Sequence, residues 1–433
     1  MKDLIKDIIL SFQRQFQQLS PFPRSLDVPV HLSKDKAITI YGPRRAGKTF
    51  YLFWLISKQL KEGTWKIEDI IYVNFEDNRL LNLKATNLDL ILNSYYELFP
   101  ENKPVLFLDE IQNIENWSKW IRKLVDLKYQ VFITGSNARL LSREIATELR
   151  GRTLSFMLLP LSFKEFLAFN HENVHNNDRY DSKKRATLLH WLDRYLKQGG
   201  FPETLHLSNI ERQWVLQEYI NSIVFRDIAE RYAIKNTYML KFLINYILEN
   251  YANLFSINKL YNFLKSSGIR TSKDSLYNYF TMLEESMFAF TISKFSRAIK
   301  ERELYQKKVY LPDLGYTTIF KHSKNIGRVF ENFIFNELVR KYSEIYFYRS
   351  NYECDFILMK ENLPIPLQVS YELKEHQPSG TYQREINSLL KTMEKLNTGK
   401  GYIITHNETK EIESGSKKIS IISVIDFLLF YMI

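Results

Sequence analysis

The chain has 433 residues, of which 45% are hydrophobic and 25% are charged, and its formal net charge at pH 7 is +11. This apolar fraction excludes an intrinsically disordered chain, and the length predicts about two to four domains. The positive charge favours a polyanionic partner such as nucleic acid, although many basic proteins have none. The single cysteine, Cys354, excludes an internal disulfide and a cysteine-based zinc site, and this predicts a cytoplasmic protein.

Residues 1–18 predict an amphipathic helix that is too polar for a secretion signal, because apolar side chains recur at helical spacing among charged ones. These apolar positions are Leu4, Ile5, Ile8, Ile9 and Phe12. No stretch of the sequence approaches the roughly 18 apolar residues that a membrane-spanning helix needs. The apolar run at 421–433 is short and contains Asp426, so we expect no membrane association.

Residues 42–49 read Gly-Pro-Arg-Arg-Ala-Gly-Lys-Thr, a complete G-x-x-x-x-G-K-[ST] phosphate-binding loop, or P-loop, and they follow the apolar run 37–41. A strand that ends in such a turn and opens a helix leaves several backbone N–H groups unpaired, and these can converge on a polyphosphate. We therefore expect ATP to bind here, with Lys48 on the β- and γ-phosphates and the Thr49 hydroxyl on Mg²⁺. The alternative is a surface turn rich in glycine and arginine. The residues of the predicted cradle are Gly42, Pro43, Arg44, Arg45, Ala46, Gly47, Lys48 and Thr49.

Short apolar runs alternate with helical stretches in the first part of the chain, and this order predicts a parallel sheet covered by helices on both faces. The runs lie at 37–41, 70–75, 105–108, 131–134 and 154–159. Ligands of such sheets bind at the carboxyl ends of the strands, and the P-loop follows the end of the first predicted strand.

The apolar run at 105–108 ends in Asp109 and Glu110, and so has the form of a Walker B element. We expect Asp109 to hold Mg²⁺ through water, and Glu110 to orient and polarise the attacking water. A strand that ends in two acids is common by itself, and the upstream P-loop is what favours the catalytic interpretation.

The next predicted strand ends in Thr134-Gly135-Ser136-Asn137. A polar side chain at this point can hydrogen-bond the γ-phosphate or the lytic water and so report the loss of the phosphate. Ser136 and Asn137 are both candidates for this sensor role. The alternative is a simple cap between the strand and the next helix.

Arg150 and Arg152 flank Gly151 further along the chain. An arginine from a neighbouring subunit stabilises the charge that develops on a transferred phosphoryl group, so both residues are candidates for a trans-acting finger. Arg44 and Arg45 in the P-loop are alternatives for contact with a subunit or with the nucleotide. Each of these arginines could equally be an ordinary surface charge.

Residues 166–250 predict a helical segment whose apolar stripes are core. In 251–312, two short helical patterns separated by a turn are followed by two β-like runs, and this order suggests a winged helix. Between positions 259 and 308, ten Lys or Arg residues stand against five Asp or Glu residues. This excess favours contact with DNA phosphates, although a winged helix can equally serve as a protein-docking module.

The last part of the chain, 313–433, predicts a second and smaller α/β domain. Its helical patterns alternate with short apolar runs typical of buried strands. The predicted helices lie at 327–342 and 382–396, and the predicted strands at 345–348, 354–358, 365–369 and 401–405.

Several motifs together resemble a known family. They are the P-loop, Leu108-Asp109-Glu110-Ile111-Gln112, Ile133-Thr134-Gly135-Ser136-Asn137, Arg150-Gly151-Arg152, Leu159-Pro160-Leu161-Ser162-Phe163 and Gly199-Gly200-Phe201-Pro202-Glu203. With them the chain looks like the prokaryotic AAA+-type ATPases that carry a winged-helix segment and a C-terminal restriction-nuclease-like (PD-D/ExK-like) domain. The resemblance extends over nearly the whole chain, through 310–315 to 367–369, and is more specific in the first half. It implies an ATP-driven machine that forms a hexameric ring, with DNA as the expected partner.

Restriction-type nucleases place an Asp on one strand, Glu-x-Lys on the next and a Glu on an upstream helix, so that carboxylates hold Mg²⁺ and the lysine steadies the nucleophile. Glu331 and Asp355 fit two of these positions, but Gln368-Val369-Ser370 stands where Glu-x-Lys belongs. Glu372-Leu373-Lys374 could restore the pattern if the strand ran later along the chain. We expect a domain that keeps the nuclease fold without cleavage activity, with Glu331, Asp355 and Gln368 as remnants of the site.

The patterns predict an α/β protein with a P-loop sheet, a helical and winged-helix region and a smaller α/β domain, and the resemblance implies that these are an AAA+ (ASCE-type) NTPase sheet and a nuclease-like domain. The expected boundaries are 1–34, 35–165, 166–250, 251–312 and 313–433. We expect a Mg²⁺-dependent homo-oligomer that hydrolyses ATP to ADP and phosphate between subunits and couples this to binding and remodelling of DNA, including branched DNA. The alternatives are an ATP-dependent regulatory switch that binds a protein, and a metal-dependent nuclease controlled by the ATPase.

Overall fold

The computed structural model describes residues 1–136, 149, 151–235, 237–319, 325–373 and 380–431. The candidate sensor Asn137 and the candidate finger Arg150 therefore lie outside the described residues. The chain divides into two compact units, Met1–Pro160 with Glu285–Met287 and Leu161–Glu284 with Phe288–Ile433. They are called the first unit and the second unit, and the finer division into five domains stays a prediction.

The first unit is built on a parallel sheet. Its described strands are β1 (Ala37–Tyr41), β2 (Ile70–Asn74), β3 (Val105–Asp109), β4 (Gln130–Gly135) and β5 (Thr153–Met157), and its helices are α1 (Lys2–Phe16), α2 (Lys48–Lys61), α3 (Asp89–Leu98) and α4 (Trp117–Asp126). The strands pair in the order β2-β3-β4-β1-β5. Because neighbouring strands are parallel, the P-loop after β1, the end of β3 and the end of β4 all lie at one edge of the sheet.

Each face of the first-unit sheet carries its own apolar core, because successive residues of a strand point to opposite faces. On one face, Ile71, Leu106 and Ile133 pack with side chains of α1, α3 and α4. On the other face, Ile38 and Phe107 pack with side chains of α2. The parallel sheet with helices on both faces, predicted from the order of the apolar runs, is therefore confirmed.

The second unit contains a larger mixed sheet. Its described strands are β6 (Asn253–Phe255), β7 (Phe290–Lys294), β8 (Lys307–Tyr310), β9 (Ile345–Arg349), β10 (Glu353–Lys360), β11 (Leu363–Ser370), β12 (Lys400–Thr405), β13 (Lys410–Ser414) and β14 (Lys417–Ser423). They pair in the order β13-β14-β12-β11-β10-β9-β7-β8-β6. Parallel pairing of β11 with β12 and of β12 with β14 alternates with antiparallel hairpins, so this is not a doubly wound sheet like that of the first unit.

Helices of the second unit precede this sheet in the chain and separate its strands. They are α5 (Phe163–Phe169), α6 (Ser182–Gln198), α7 (Asn209–Ser222), α8 (Tyr238–Asn250), α9 (Ile257–Ser266), α10 (Lys273–Glu285), α11 (Ile299–Leu304), α12 (Ile326–Leu338), α13 (Thr381–Leu396) and α14 (Val424–Asp426). A π-helical segment, Ile223–Glu230, continues α7, and another, Phe427–Tyr431, continues α14. In the part of the chain that the structure describes, no helix is both long enough and apolar enough to span a bilayer.

One end of the mixed sheet is formed by the segment around α9 and α10. The chain passes through α8, β6, α9, α10, β7, α11 and β8, and β8 pairs antiparallel with both β6 and β7. On its other side β7 pairs in parallel with β9. Both edges of β7 therefore form backbone hydrogen bonds with neighbouring strands. The same sheet continues across the domain boundary expected at 312.

Two of the sequence motifs meet in the second unit. Asp313 accepts hydrogen bonds from the backbone N–H of Gly200 and of Gly315, each at 2.7 Å. A Cβ atom on Gly200 would lie 2.3 Å from the carbonyl oxygen of Leu161, so the close approach of the chain to Leu161 requires glycine at this position. Burial raises the pKa of Asp313 to about 7, although both hydrogen bonds and nearby Arg340 oppose the shift.

Candidate functional site

The P-loop turns the chain sharply between β1 and α2. Arg45 and Gly47 have φ angles of 67° and 92°, in the left-handed region that glycine adopts most readily. Helix α2 begins directly afterwards, at Lys48. Its first backbone N–H groups therefore face the carboxyl edge of the sheet, where the helix dipole favours an anion.

Two close contacts fix the P-loop against the segment that follows β5. A Cβ atom on Gly42 would lie 2.0 Å from the carbonyl oxygen of Leu158, so no larger residue fits. Arg24 is buried and donates to the carbonyl oxygens of Ala46 at 3.0 Å and Leu159 at 2.7 Å. Sequence reasoning missed Arg24, because it lies outside the motif and no local pattern marks it.

Lys48 connects the P-loop with the end of β3. Its side chain is 4% exposed, and its Nζ lies 3.4 Å from Oε1 of Glu110. The same Nζ donates to the carbonyl oxygens of Gly42 and Pro43, each at 3.2 Å. The two motifs that were predicted to form one site are therefore in direct contact.

Asp109 is fully buried at the end of β3 and is surrounded by hydroxyl groups. Its Oδ2 accepts from Thr49 at 2.7 Å and from Tyr72 at 2.8 Å, and its Oδ1 accepts from Thr134. Burial, and then the adjacent charge of Glu110, raise the pKa of Asp109, while the three hydroxyls act against this shift. The pair expected to share Mg²⁺, Thr49 and Asp109, is brought together, and Tyr72 joins it from inside the apolar run of β2.

Glu110 follows Asp109 with a left-handed backbone, φ 52°. Sparsely populated conformations of this kind cluster at functional sites. Gln112 donates to its Oε2, while Lys48 lies beside its Oε1. Burial pushes the pKa of Glu110 up, but Lys48, Gln112 and Arg44 outweigh burial and hold it below its usual range. The carboxylate is thus ionised at neutral pH, as a water-polarising group must be.

The end of β4 contacts the acids of β3 through Thr134, a residue that was not among the predicted sensors. Ser136 is buried, and its sensor role stays a prediction, while Asn137 lies outside the described residues. Thr134, two positions earlier on β4, accepts from the backbone N–H of Glu110 at 2.9 Å and donates to Asp109. A hydroxyl of β4 therefore links the two acids of β3.

Two of the candidate arginines, Arg44 and Arg152, have acidic partners within the chain. Arg44 lies 3.4 Å from Glu76, and Arg152 donates to Asp126 at 2.6 Å. The carbonyl oxygen of Arg152 accepts from the N–H of Ala37 at the start of β1, so Arg152 lies at the amino edge of the sheet. That edge is about 16 Å from the P-loop, the length of a five-residue strand. Arg152 does not reach the P-loop of its own chain, and a role in trans stays a prediction.

The three residues predicted to be remnants of a nuclease site lie together in the second unit. Glu331 on α12, Asp355 on β10 and Gln368 on β11 border a cavity of about 720 Å³. Lys308 on β8 joins them: its Nζ lies 3.0 Å from Glu331, 3.1 Å from Asp355 and 2.7 Å from Glu353. The structure thus brings together the three residues expected from sequence and adds a lysine that was not expected.

The burial of Lys308 contradicts one expectation about the basic segment that was predicted to be a winged helix. It was counted among the cations that face DNA, but it is only 2% exposed. Burial opposes its charge, yet Glu331, Tyr310, Asp355 and Glu353 raise the pKa of Lys308 well above its usual value. Burial also raises the pKa of Glu331 to about 7, against the pull of Lys308.

The end of β11 shows which residues stand at the Glu-x-Lys position of the predicted nuclease pattern. The strand ends at Ser370, so Glu372 lies beyond it, and the slide that would place Glu372-Leu373-Lys374 on the strand does not occur. Lys374 itself lies outside the described residues. Gln368 and Ser370 therefore stand where the nuclease pattern has glutamate and lysine.

Matches to known proteins cover most of the chain. The model of an AAA domain matches residues 34–167, and two models of domains of unknown function, DUF8612 and DUF4143, match 189–321 and 326–425. An uncharacterized protein of Methanocaldococcus jannaschii is 39% identical over 404 residues, which cover 91% of this chain and 86% of that protein. The chain belongs to its family. An uncharacterized protein of Haemophilus influenzae, 32% identical over 90% of this chain and 93% of its own length, is a further relative.

The fold of this family member is that of an AAA+ P-loop NTPase in its first unit, since the AAA match covers the parallel sheet and its P-loop. In general terms, the chain is therefore a nucleotide-binding ATPase. AMPPCP-bound DnaA from Aquifex aeolicus is similar over 64% of this chain and 86% of that chain, with 13% identity. The TM-score of 0.24 is too low for this likeness to support any inference.

Proposed function

We propose that the protein hydrolyses ATP to ADP and phosphate and couples this reaction to binding and remodelling of DNA, including branched DNA. The hydrolytic part depends on one observation, the convergence of Lys48, Thr49, Asp109 and Glu110 at the carboxyl edge of the first-unit sheet. Thr49 and Asp109 are in hydrogen-bond contact at 2.7 Å, and Lys48 and Glu110 lie 3.4 Å apart. These four side chains supply the groups that phosphoryl transfer to water requires.

Each group has a distinct task in this proposal. The N–H groups that open α2 and the ammonium of Lys48 bind the β- and γ-phosphates. Glu110 orients a water molecule toward the γ-phosphorus and polarises its O–H bond. Contacts with Gln112 and with the hydroxyl of Thr134 fix the position of Glu110, so that its carboxylate does not need to reorganise during the reaction.

The residues also fit the Mg²⁺ ion that such a reaction uses. A hydroxyl oxygen and a carboxylate oxygen are hard ligands of the kind that Mg²⁺ prefers, and Thr49 and Asp109 present one of each at the same point. When bound, the ion neutralises charge on the β- and γ-phosphates. Thr49 would hold it directly and Asp109 through water.

We infer that a second copy of the chain completes the active site within a homo-oligomeric, hexameric ring. The P-loop and Asp109 bind the nucleotide and its metal ion, and Glu110 activates the water. The arginine that stabilises the charge developing on the phosphoryl group must still be supplied. Arg152 lies at the far edge of its own sheet, and Arg150 is its neighbour in sequence. A position far from the P-loop of the same chain is compatible with action on the next subunit.

DNA binding is assigned to the segment from α8 to β8, which we interpret as a winged helix. Its order of helix, strand, two helices, strand, short helix and strand, with β8 between β6 and β7, supports this interpretation. Exposed cations follow α9, the turn and the start of α10: Lys259, Lys265, Arg270 and Lys273. Exposed cations of this kind can contact phosphates.

A protein-binding switch is the second candidate function. Two aromatic side chains on the same helices, Phe263 and Tyr277, are 58% and 43% exposed. Exposed aromatics are typical anchors of protein interfaces, whereas phosphate contacts need only the cations. A surface that carries both therefore requires a direct test.

The ATPase rate and the binding of duplex, single-stranded and four-way DNA are measured at several salt concentrations. We expect DNA to stimulate hydrolysis and the affinity to fall steeply with salt, because phosphate contacts release counterions. Lys265→Glu with Lys273→Glu should reduce the slope of log affinity against log salt by about 2. Lys183→Glu, an exposed lysine on α6, is the control with an unchanged slope. Hydrolysis without stimulation, and without salt-dependent binding, would leave the ATPase intact and refute the DNA partner.

A further inference from the structure

Both oxygens of the Asp355 carboxylate contact groups of the protein. Its Oδ1 faces Nζ of Lys308 at 3.1 Å, and its Oδ2 accepts from the backbone N–H of Val369 at 3.0 Å. In a restriction-type site this aspartate is a metal ligand. In this chain both of its oxygens are already engaged by internal donors.

One oxygen of the Glu331 carboxylate accepts from two donors of β8. Its Oε1 accepts from Lys308 at 3.0 Å and from the hydroxyl of Tyr310 at 2.8 Å. The ring of Tyr310 stacks on Phe335 at a centroid distance of 4.2 Å, so the hydroxyl has little freedom to move away. Lys308 and Tyr310 both belong to β8, which therefore supplies two donors to one carboxylate.

The third position of the site is neutral. Gln368 accepts from the backbone N–H of Asp355 at 3.2 Å through its Oε1, and its Nε2 donates to Glu385. Glu385 accepts in turn from Arg384 at 2.8 Å. The amide oxygen that could serve as a metal ligand is used within the network.

The charges of this cluster nearly balance without an added ion. The acids are Glu331, Glu353, Asp355 and Glu385, and the bases in contact with them are Lys308, Arg349 and Arg384. A Mg²⁺ ion takes ligand oxygens at about 2.0–2.1 Å in octahedral geometry. Bound between Glu331 and Asp355, it would compete with the ammonium of Lys308 for Oε1 of Glu331 and Oδ1 of Asp355.

Among the described residues, no three or more acidic, histidine or cysteine side chains are placed to hold a metal ion, in agreement with this geometry. The residues of the nuclease-like site therefore do not fit the divalent ion that the resemblance implies. The cation that they do fit is the ammonium of Lys308.

We propose that Lys308 takes the place of the divalent cation in the nuclease-like site, and that this site is consequently independent of metal and does not cleave nucleic acid. The lysine comes from β8, a strand of the winged-helix segment, and not from the Glu-x-Lys position on β11, where Ser370 stands. This inference concerns the second unit alone and does not depend on ATP hydrolysis.

Binding of Mn²⁺ to the nucleotide-free full chain tests the proposal, with calorimetry as the readout. We expect the wild type and Asp355→Asn to bind Mn²⁺ with the same stoichiometry. Lys308→Met removes the ammonium and leaves its carboxylates facing one another, so it should gain one Mn²⁺ site. Adding Asp355→Asn to Lys308→Met should remove that site again. A folded Lys308→Met variant that gains no site would overturn the proposal.

The wild type provides a second test, which stands even if Lys308→Met fails to fold after losing a buried charge. Its thermal stability with and without Mn²⁺ is compared with that of Asp355→Asn, since a bound ligand stabilises the folded state. Equal shifts in the two proteins support the proposal. A shift that Asp355→Asn abolishes refutes it. Mg²⁺-dependent DNA cleavage that requires Asp355 and Lys308 would also refute it and would make Lys308 a catalytic lysine.

Discussion

Thr134 shows how a single hydroxyl organises the candidate active site. It accepts from the backbone of Glu110 and donates to the carboxylate of Asp109, so both acids depend on it. The hydroxyl is completely buried. Without it, a buried carboxylate oxygen and a buried N–H group would each lose a partner.

Thr134→Val keeps the shape of the side chain and removes only the hydroxyl. We expect kcat for ATP to fall roughly 10- to 100-fold, because a small displacement of a catalytic group is costly. The unfolding free energy should fall by about 1–3 kcal/mol. Steady-state kinetics and urea unfolding measure both effects, and Thr134→Ser should restore them.

Thr39 on β1 is a matched control for this substitution. It is also completely buried in the same sheet, and its hydroxyl pairs with Thr153 at 2.9 Å, away from the two acids. Thr39→Val should lower stability without a comparable change in kcat. Full kcat in Thr134→Val would show that the hydroxyl does not position Glu110.

The site residues that sequence could predict are those with local spacing. The P-loop fixes eight consecutive positions, and the two acids follow directly on an apolar run, so neither needs knowledge of the fold. Arg24, Tyr72 and Lys308 reach their sites from distant parts of the chain. Only the pairing of strands and the packing of the preceding segment bring them there, and no local pattern encodes that.

At the scale of elements, the turn between β1 and α2 depends on Gly42. A Cβ atom at this position would lie 2.0 Å from the carbonyl oxygen of Leu158, a backbone atom that cannot rotate away. Overpacking of this kind costs about 1–3 kcal/mol. If displacement of the P-loop carries that cost, Gly42→Ala should weaken ATP binding about 5- to 150-fold.

Equilibrium titration with a fluorescent ATP analogue measures this effect. Gly399→Ala is the control, because the nearest atom to a Cβ added there is the carbonyl oxygen of Ser416 at 4.0 Å. We expect unchanged affinity in that variant. Unchanged affinity in Gly42→Ala would mean that the P-loop does not need the close approach to Leu158.

The contact of Asp313 with the motif that begins at Gly199-Gly200 predicts that the stability of the protein depends on pH. The pKa of Asp313 rises from 3.8 to about 7 in the folded protein, so the folded chain keeps a proton that the unfolded chain releases. The contribution of this group to stability is therefore largest below about pH 4 and is lost as the pH rises toward 7.

Asp313→Asn cannot titrate, so its unfolding free energy should change less between about pH 4 and pH 7 than that of the wild type. The variant should also be less stable at low pH, since asparagine offers one oxygen to the two N–H donors. Urea unfolding across this range is the measurement. Parallel curves for the two proteins would contradict the raised pKa.

The elements that sequence predicted well are those with strong apolar periodicity. The predicted strands 37–41 and 345–348 match β1 and β9 to within one residue. The hairpin of β13 and β14 was missed, because β13 is polar and largely exposed, so its sequence resembles a loop. Strand β6 is only three residues long, too short for any periodicity to show.

At the scale of the whole molecule, the sheet of the second unit unites two regions that the sequence separated. Parallel pairing of β7 with β9 joins the segment proposed as a winged helix to the strands predicted to be nuclease-like. The same sheet carries Lys308 on β8 to the acids of α12 and β10. Pairing between strands so distant in sequence leaves no mark on composition, so the sequence alone does not predict this shared sheet.

Hydrolysis at the P-loop is the activity on which the other proposed functions of the molecule depend. Phosphate release and ATP binding are therefore measured in the wild type, Lys48→Ala and Glu110→Gln. Glutamine keeps the size of Glu110 and frees Lys48 from an ion pair, so this variant should bind ATP at least as tightly as the wild type. Its kcat should fall roughly 10²- to 10⁴-fold, whereas Lys48→Ala should lose ATP binding. Hydrolysis at the wild-type rate by Glu110→Gln would contradict the proposed mechanism.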